Sequence, residues 1–265
     1  MAKSLGIISL KGGVGKTSVV ISLGSALAQL GKKVLLVDGN LSSPSLGLHL
    51  NLVEPDKTLH HVLNRSCNIN DAIYEYENIH IIPSSLFKEI NVTPLQLRNK
   101  LRNIKDKYDF ILIDSPPSLG EETIGVILAS DEIFVVTTPD HPTLGATLKA
   151  IKLIKKRGVP ISGLILNKVY NKDFEISFEK IQECIGIPIL AAIPYDIHFI
   201  KSLYQMKPYT LHKPNSKGSS EYKKLACALC GQKYKRTGIL DIFRKITPSK
   251  TDINREVFYT RVFKN

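Results

Sequence analysis

Apolar residues along this chain gather in short, nearly continuous runs, separated by longer stretches in which they recur every third or fourth position. The runs LGIISL (5–10), KVLLVD (33–38), IHIIP (79–83), FILID (110–114), IFVVTT (133–138), GLILNKV (163–169) and PILAAIP (188–194) read as β-strands. They are apolar at successive positions rather than alternating, so both faces must be covered, which is the mark of a parallel sheet. Helical patterns lie between them. In KTSVVISLGSALAQLG, Val19, Val20, Leu23, Leu27 and Leu30 fall on one stripe, and Gly31 supplies a left-handed stop. HPTLGATLKAIKLIKKRG (141–158) and FEISFEKIQECIG (174–186) also end at glycines. This alternation predicts an α/β fold, a doubly wound, mostly parallel sheet with helices on both faces. PYTLHKPNSKGSS (208–220) reads as a loop, and no internal repeat or low-complexity stretch is present.

Composition narrows the class. With 265 residues, 43% hydrophobic and 23% charged, the chain is an ordinary globular protein able to bury a full core. No uncharged apolar run approaches the roughly 20 residues of a spanning helix, and the N-terminus carries no cleavable signal pattern. Four cysteines, Cys67, Cys184, Cys227 and Cys230, are too few and too irregular for a disulfide framework. The expectation is a soluble intracellular protein in a reducing compartment. Charge is uneven: of 36 Lys+Arg and 24 Asp+Glu, residues 201–265 hold 15 and 4, so +11 of the net +12 lies in the last quarter. That surplus suits nucleic acid, an anionic membrane surface, or a solvated basic face. The expected division is a domain at 1–235 and a basic C-terminal tail at 236–265.

GGVGKT (12–17) follows the first strand and opens the first helix, the context in which a glycine-rich run becomes a phosphate-binding loop. Backbone N–H groups around Gly12, Gly13 and Gly15 can face one concavity, and the helix N-terminus adds a positive dipole end. Lys16 is placed to reach the β- and γ-phosphates, and the Thr17 hydroxyl to bind Mg²⁺. A carboxylate at the end of a neighbouring strand would complete the metal's water shell, and Asp114 and Asp38 both end strands. A strand-terminal aspartate can also simply cap the following turn.

These segments, KGGVGKT (11–17), VLLVDGNLSSPSLGLHL (34–50), DFILIDSPPSLG (109–120), VVTTPDHPTL (135–144) and LILNKV (164–169), resemble in order the deviant Walker A P-loop ATPases. The resemblance covers about residues 4–232. SPSLGLHL favours the MinD branch, close to archaeal MinD-like proteins, over its ParA cousins. It implies ATP and Mg²⁺ as cofactors. The nucleotide would be held by Lys11, Gly12, Gly13, Val14, Gly15, Lys16, Thr17, Ser18, Asn167, Pro194 and Tyr195, with Asn167 on adenine and Pro194 and Tyr195 near the base. Lys11 matches the signature lysine that crosses a dimer interface to the partner's nucleotide. Two ATP molecules face to face repel, and a cation supplied in trans offsets that. A homodimer in the ATP state follows, with an unidentified activating or cargo protein; a contact from Lys11 within its own chain is the alternative.

The chain departs from the family pattern at Asn40, where a second carboxylate usually stands two residues after the position matching Asp38. An amide can position water but cannot accept its proton, so with Lys11, Lys16 and Asn40 as the catalytic groups hydrolysis is expected to be slow. A purely structural role for Asn40 in a turn is equally open.

In TGILDIFRKITP, Ile239, Ile242, Phe243 and Ile246 recur at helical spacing, with Leu240 beside them, Asp241, Arg244 and Lys245 off the stripe, and Pro248 as the stop. A short amphipathic helix at about 238–247 resembles the membrane-targeting tail of MinD and would bring the protein to the inner face of the cell membrane. Docking on the protein itself or on a partner helix is the alternative. EVFYTRVFKN at the end is open between anchor, edge strand and fraying. Two other readings compete: a partition-type ATPase holding DNA nonspecifically, which the regular apolar stripe disfavours, and an iron–sulfur carrier using CALC (227–230). The latter segment reads better as the core face of a helix ending at Gly231.

Overall fold

The first strand, β1 (Lys3–Ile8), lies between β5 (Phe110–Asp114) and β6 (Glu132–Thr137), pairing in parallel with both. Around it the sheet extends through β2 (Val34–Asp38) and β4 (Ile79–Ile82) on one side and β7 (Ile161–Val169) and β8 (Ile189–Pro194) on the other. A short antiparallel strand, β3 (Tyr74–Tyr76), closes one edge, giving the order β3-β4-β2-β5-β1-β6-β7-β8. The computed structural model describes residues 2–87, 92–234 and 249–263.

Successive strand residues feed two separate cores. Leu35, Val37, Ile111 and Ile113 belong to one apolar cluster, and Leu36, Leu112, Phe134 and Val136 to the other. This is the period-2 geometry of a strand buried on both faces, and it explains why the pattern is apolar throughout.

The helices α1 (Lys16–Ala28), α2 (Leu59–Leu63), α3 (Leu97–Arg102), α4 (Glu121–Ala129), α5 (His141–Lys156) and α6 (Phe178–Ile185) cover the sheet in chain order. Gly31, Gly158 and Gly186, the stops read from the sequence, all take positive φ. Helix α1 is buried more widely than its stripe predicts, Ser22 and Ser25 included.

Its outer side is covered by elements beyond β8: α7 (His198–Tyr204), α8 (Tyr209–His212) and α9 (Lys217–Leu229). The stretch 208–220 is therefore not all loop. Tyr209 is 2% exposed, stacks on Phe199 at 3.7 Å and pulls a helical turn into the core. Ser216 then caps α9 by accepting from the Ser219 N–H at 3.1 Å.

A last helix, α10 (Lys250–Phe263), packs on β8 and α9, so the end of the basic stretch is built onto the sheet. Arg255, 6% exposed, donates to Glu221 at 2.9 Å, to Asp252 at 2.6 Å and to the Leu190 carbonyl at 2.7 Å. The stripe Ile239, Leu240, Ile242, Phe243 and Ile246 lies outside the described residues. Among the described residues no helix is long and apolar enough to cross a membrane.

Candidate nucleotide-binding site

Beyond Ile8 the chain turns through residues 9–15 into α1, at the carboxyl end of the central strand, where open α/β sheets bind ligands. Gly15 is the N-cap residue at φ 90°, and Gly13 also sits in the left-handed region at φ 75°. A Cβ at Gly15 would run into the Asn167 side-chain amide, so a larger residue there would displace Asn167 as well as strain the backbone. Lys16 opens α1 and is 7% exposed; burial lowers its pKa while the charge of Asp114 opposes the shift. A phosphate in the loop is the natural partner for this poorly solvated ammonium.

Thr17 donates from Oγ1 to Asp114 Oδ2 at 2.5 Å and lies 3.0 Å from Ser45 Oγ. Asp38 and Asp114 are register partners on β2 and β5. Burial, reinforced by Asp114, pushes the Asp38 carboxyl up to about 8, and burial raises Asp114 to about 6 against the pull of Thr17 and Lys16. Their oxygens have different occupations. Asp38 accepts from the backbone N–H groups of Asn40 (3.2 Å), Ser45 (3.1 Å) and Leu46 (3.0 Å), and so organises the loop after β2. Asp114 Oδ1 is buried with no hydrogen-bond partner among the described residues. A free carboxylate oxygen beside a threonine hydroxyl is a donor set suited to a small hard dication, and Mg²⁺ fits it.

Asn40, 8% exposed, lines the cleft, but its side chain closes its own turn: the amide nitrogen donates to the Ser43 carbonyl, and Oδ1 accepts from the Ser43 N–H at 3.2 Å. Glu122 of α4 holds the same loop, accepting from the Leu41 N–H at 2.8 Å.

The loop opens on a cleft of about 480 Å³ that brings together Gly12, Gly13, Gly15, Lys16, Thr17 and Ser18 with Asn167, Pro194 and Tyr195. Asn167, 5% exposed at the end of β7, donates to the Val14 carbonyl at 2.8 Å, and Tyr195 stacks on Tyr170 at 4.6 Å. Sequence reasoning missed several cleft residues: His49, Lys168, and Phe199, Ile200 and Leu203 of α7. Lys168 stood inside LNKV beside Asn167, a signal that could have been used; the α7 residues carry none, because their side chains converge only in the folded chain.

Adjoining the cleft is a hollow of about 250 Å³, lined by Lys11, Gly12, Gly13, Val14, Pro139 and Asp140 among others. Here Lys11 donates from Nζ to Asp140 Oδ1 at 3.3 Å and to Thr143 Oγ1 at 2.8 Å, with 40% of its side chain exposed. Burial pushes the Asp140 carboxyl up, but hydrogen bonds from Thr138, Thr143 and Lys11 outweigh it and hold the pKa below the usual value.

The CALC thiols sit elsewhere. Cys227 is 6% exposed, Cys230 is half-buried, and burial pushes the latter up to about 11, the signature of packed rather than reactive cysteine. Among the described residues no group of three or more His, Cys, Asp or Glu forms a metal cluster.

A strand-to-helix glycine loop, a buried lysine behind it and a hydroxyl–carboxylate pair at its side define a P-loop nucleotide-binding protein. A family model described as an AAA domain matches residues 2–160. An uncharacterized ATP-binding protein of Methanocaldococcus jannaschii is 34% identical over 237 residues, 88% of this chain and 90% of the relative. The cell division ATPase MinD of Pyrococcus furiosus superposes with a TM-score of 0.81 at 37% identity, over 85% of this chain and 97% of that one. The septum site-determining protein MinD of Pyrococcus horikoshii, solved with Mg-ADP, gives the same score and identity over 85% and 95%. The chain belongs to the MinD/ParA family of P-loop ATPases, akin to its archaeal MinD-like members, and its cofactors are ATP and Mg²⁺.

Proposed function

We propose that this chain is a MinD-like ATPase that dimerises around ATP, rests on the inner membrane surface in that state, positions cell-division or polar machinery, and is released by hydrolysis. The observation that supports this most is the place of Lys11. Its ammonium lies in the hollow beside the phosphate loop, outside the cleft lined by Asn167, Pro194 and Tyr195, half-exposed and held by a surface carboxylate rather than buried in its own nucleotide cleft. An exposed pair of this kind is worth less than about 1 kcal/mol, so exchanging Asp140 for a phosphate across an interface is inexpensive.

Within one subunit the loop N–H groups and Lys16 grip the phosphates, while Asn167, Pro194 and Tyr195 form the wall for the base. Thr17 and Asp114 would hold Mg²⁺, which when bound offsets phosphate charge. Asn40, tied to Ser43, offers the attacking water no proton acceptor, and turnover is accordingly slow. Residues 239–246 supply the membrane contact. One short apolar stripe binds lipid weakly, whereas an ATP-held dimer carries two, the second binding at the raised effective concentration set by the first.

Vesicle sedimentation with anionic lipid tests the switch. Pelleting is expected with ATP and lost with ADP, without nucleotide, and in a Phe243→Asp variant. Equal pelleting in all three nucleotide conditions removes it, and steeply salt-dependent duplex DNA binding in the ATP state would replace it with partition. Point substitution is preferable to truncation, because α10 is packed on the sheet.

A further inference from the structure

Consecutive residues of a regular strand point to opposite faces of the sheet. At the end of β7 that rule is broken. The β7–β8 register shifts between Leu166 and Val169, and Lys168, though not a glycine, takes a left-handed conformation at φ 55°. An irregularity of this kind re-aims side chains. Its result is that two neighbouring side chains reach the same loop: Asn167 donates to the Val14 carbonyl at 2.8 Å, and Lys168 donates from Nζ to the Gly13 carbonyl at 2.7 Å.

We propose that Lys168 is a positioning residue for the nucleotide phosphates, the second prong of a clasp that turns the phosphate loop's N–H groups toward the ligand. In a trans peptide the carbonyl and the following N–H point in opposite directions. Drawing the Gly13 carbonyl to Lys168 turns the Val14 N–H away from β7, and drawing the Val14 carbonyl to Asn167 does the same for the Gly15 N–H. Both donors then face the side of the loop where Lys16 and Thr17 lie. The clasp also fixes an ammonium at the seam between the cleft and the hollow that holds Lys11, since Lys168 lines both. Gly13, at φ 75°, leaves its carbonyl free to adopt this orientation. The backbone strain at Lys168 is thus matched by a contact that glycine could not make.

The test separates the ammonium from the backbone it sits on. ADP affinity, measured by titration with Mg²⁺, is compared in the full-length chain and in Lys168→Gly, Lys168→Met and Lys168→Arg, with thermal melting of each nucleotide-free protein alongside. Lys168→Gly removes the strain, so it is expected to melt no lower than the parent, yet to bind ADP about tenfold more weakly, the scale of one hydrogen bond from a charged donor. Lys168→Met should lose a similar factor and Lys168→Arg should recover most of it. AMP, which lacks the β-phosphate, should bind all four proteins alike. Parental ADP affinity in Lys168→Gly would overturn the proposal, as would equal losses for ADP and AMP, because the residue would then act on the backbone alone or on the base.

Discussion

Lys11 and Asp140 stand 129 positions apart in the chain, yet their ammonium and carboxylate close to 3.3 Å, and the same carboxylate caps α5 by accepting from the Thr143 N–H at 2.9 Å. One acidic group serves both a helix start and the lysine at the phosphate loop. Lys11→Ala is therefore expected to leave nucleotide binding by the monomer within about threefold, the scale of one exposed ion pair, while abolishing ATP-dependent dimers. Asp140→Asn keeps a capping oxygen and releases the lysine, so dimers should form at equal or lower protein concentration. Sedimentation velocity with ATP reads both, and dimers that persist in Lys11→Ala would assign Lys11 to its own chain.

The Thr17–Asp114 contact predicts a dependence on metal. Thr17→Ala and Asp114→Asn should each bind ADP with Mg²⁺ no better than the parent does in EDTA, a loss of tenfold or more if each removes about 1.5 kcal/mol. Calorimetric titration with and without Mg²⁺ decides it, and a variant that still gains affinity on adding Mg²⁺ would exclude that residue from the metal site.

Asn40 gives a prediction in the opposite direction. Asn40→Asp places a carboxylate where the amide now closes the turn with Ser43. Turnover should rise, since the water gains a proton acceptor. Steady-state phosphate release checks this, and an unchanged or lower rate leaves Asn40 as a turn residue alone.

A pH-dependent prediction comes from α10. Burial pushes the Asp252 carboxyl up, but hydrogen bonds from Ser249 and Arg255 and the nearby charges of Arg255 and Lys224 prevail, bringing it down to about 2 from 3.8. A depressed folded-state pKa contributes stability that is fully present above the unfolded value, and that contribution disappears as pH falls through the folded one. The parent should exceed Asp252→Asn by roughly 1 kcal/mol above pH 5, with the gap narrowing between about pH 4 and pH 2. Denaturant melts across that range would show it; a gap independent of pH would mean that the charge is irrelevant. Arg255→Met, which leaves Lys224 as the cation that Glu221 and Asp252 share and takes a donor from the Leu190 carbonyl, should cost about 3 kcal/mol.

The central strands were legible because burial on both faces writes itself as unbroken apolar runs. β3 was not: Tyr74–Tyr76 is three residues long, half-exposed and at an edge. α10 was hidden by its own buried face, which runs Thr251, Arg255, Phe258 at helical spacing and so carries an arginine and a threonine where a stripe search demands carbon. In the site, the loop, Lys16, Thr17 and the strand-end aspartates follow from local order, and the loop's two lysines were visible side by side. What separates Asp38 from Asp114 was not visible, because it depends on which backbone N–H groups reach each carboxylate after folding. Nor was the clasp, since a register shift at Asn167 and Lys168 leaves no period in the sequence.

The anchoring of α10 also bears on how the molecule stays a discrete object. β8 is the outermost strand on its side of the sheet, and the carbonyls of Ile189 and Leu190 in it accept from Asn254 and Arg255, at 2.8 Å and 2.7 Å. A bare parallel edge of this kind invites another chain to add a strand. With α10 laid along it, the sheet has a finished margin, two of whose carbonyls are already taken by side chains of the same chain.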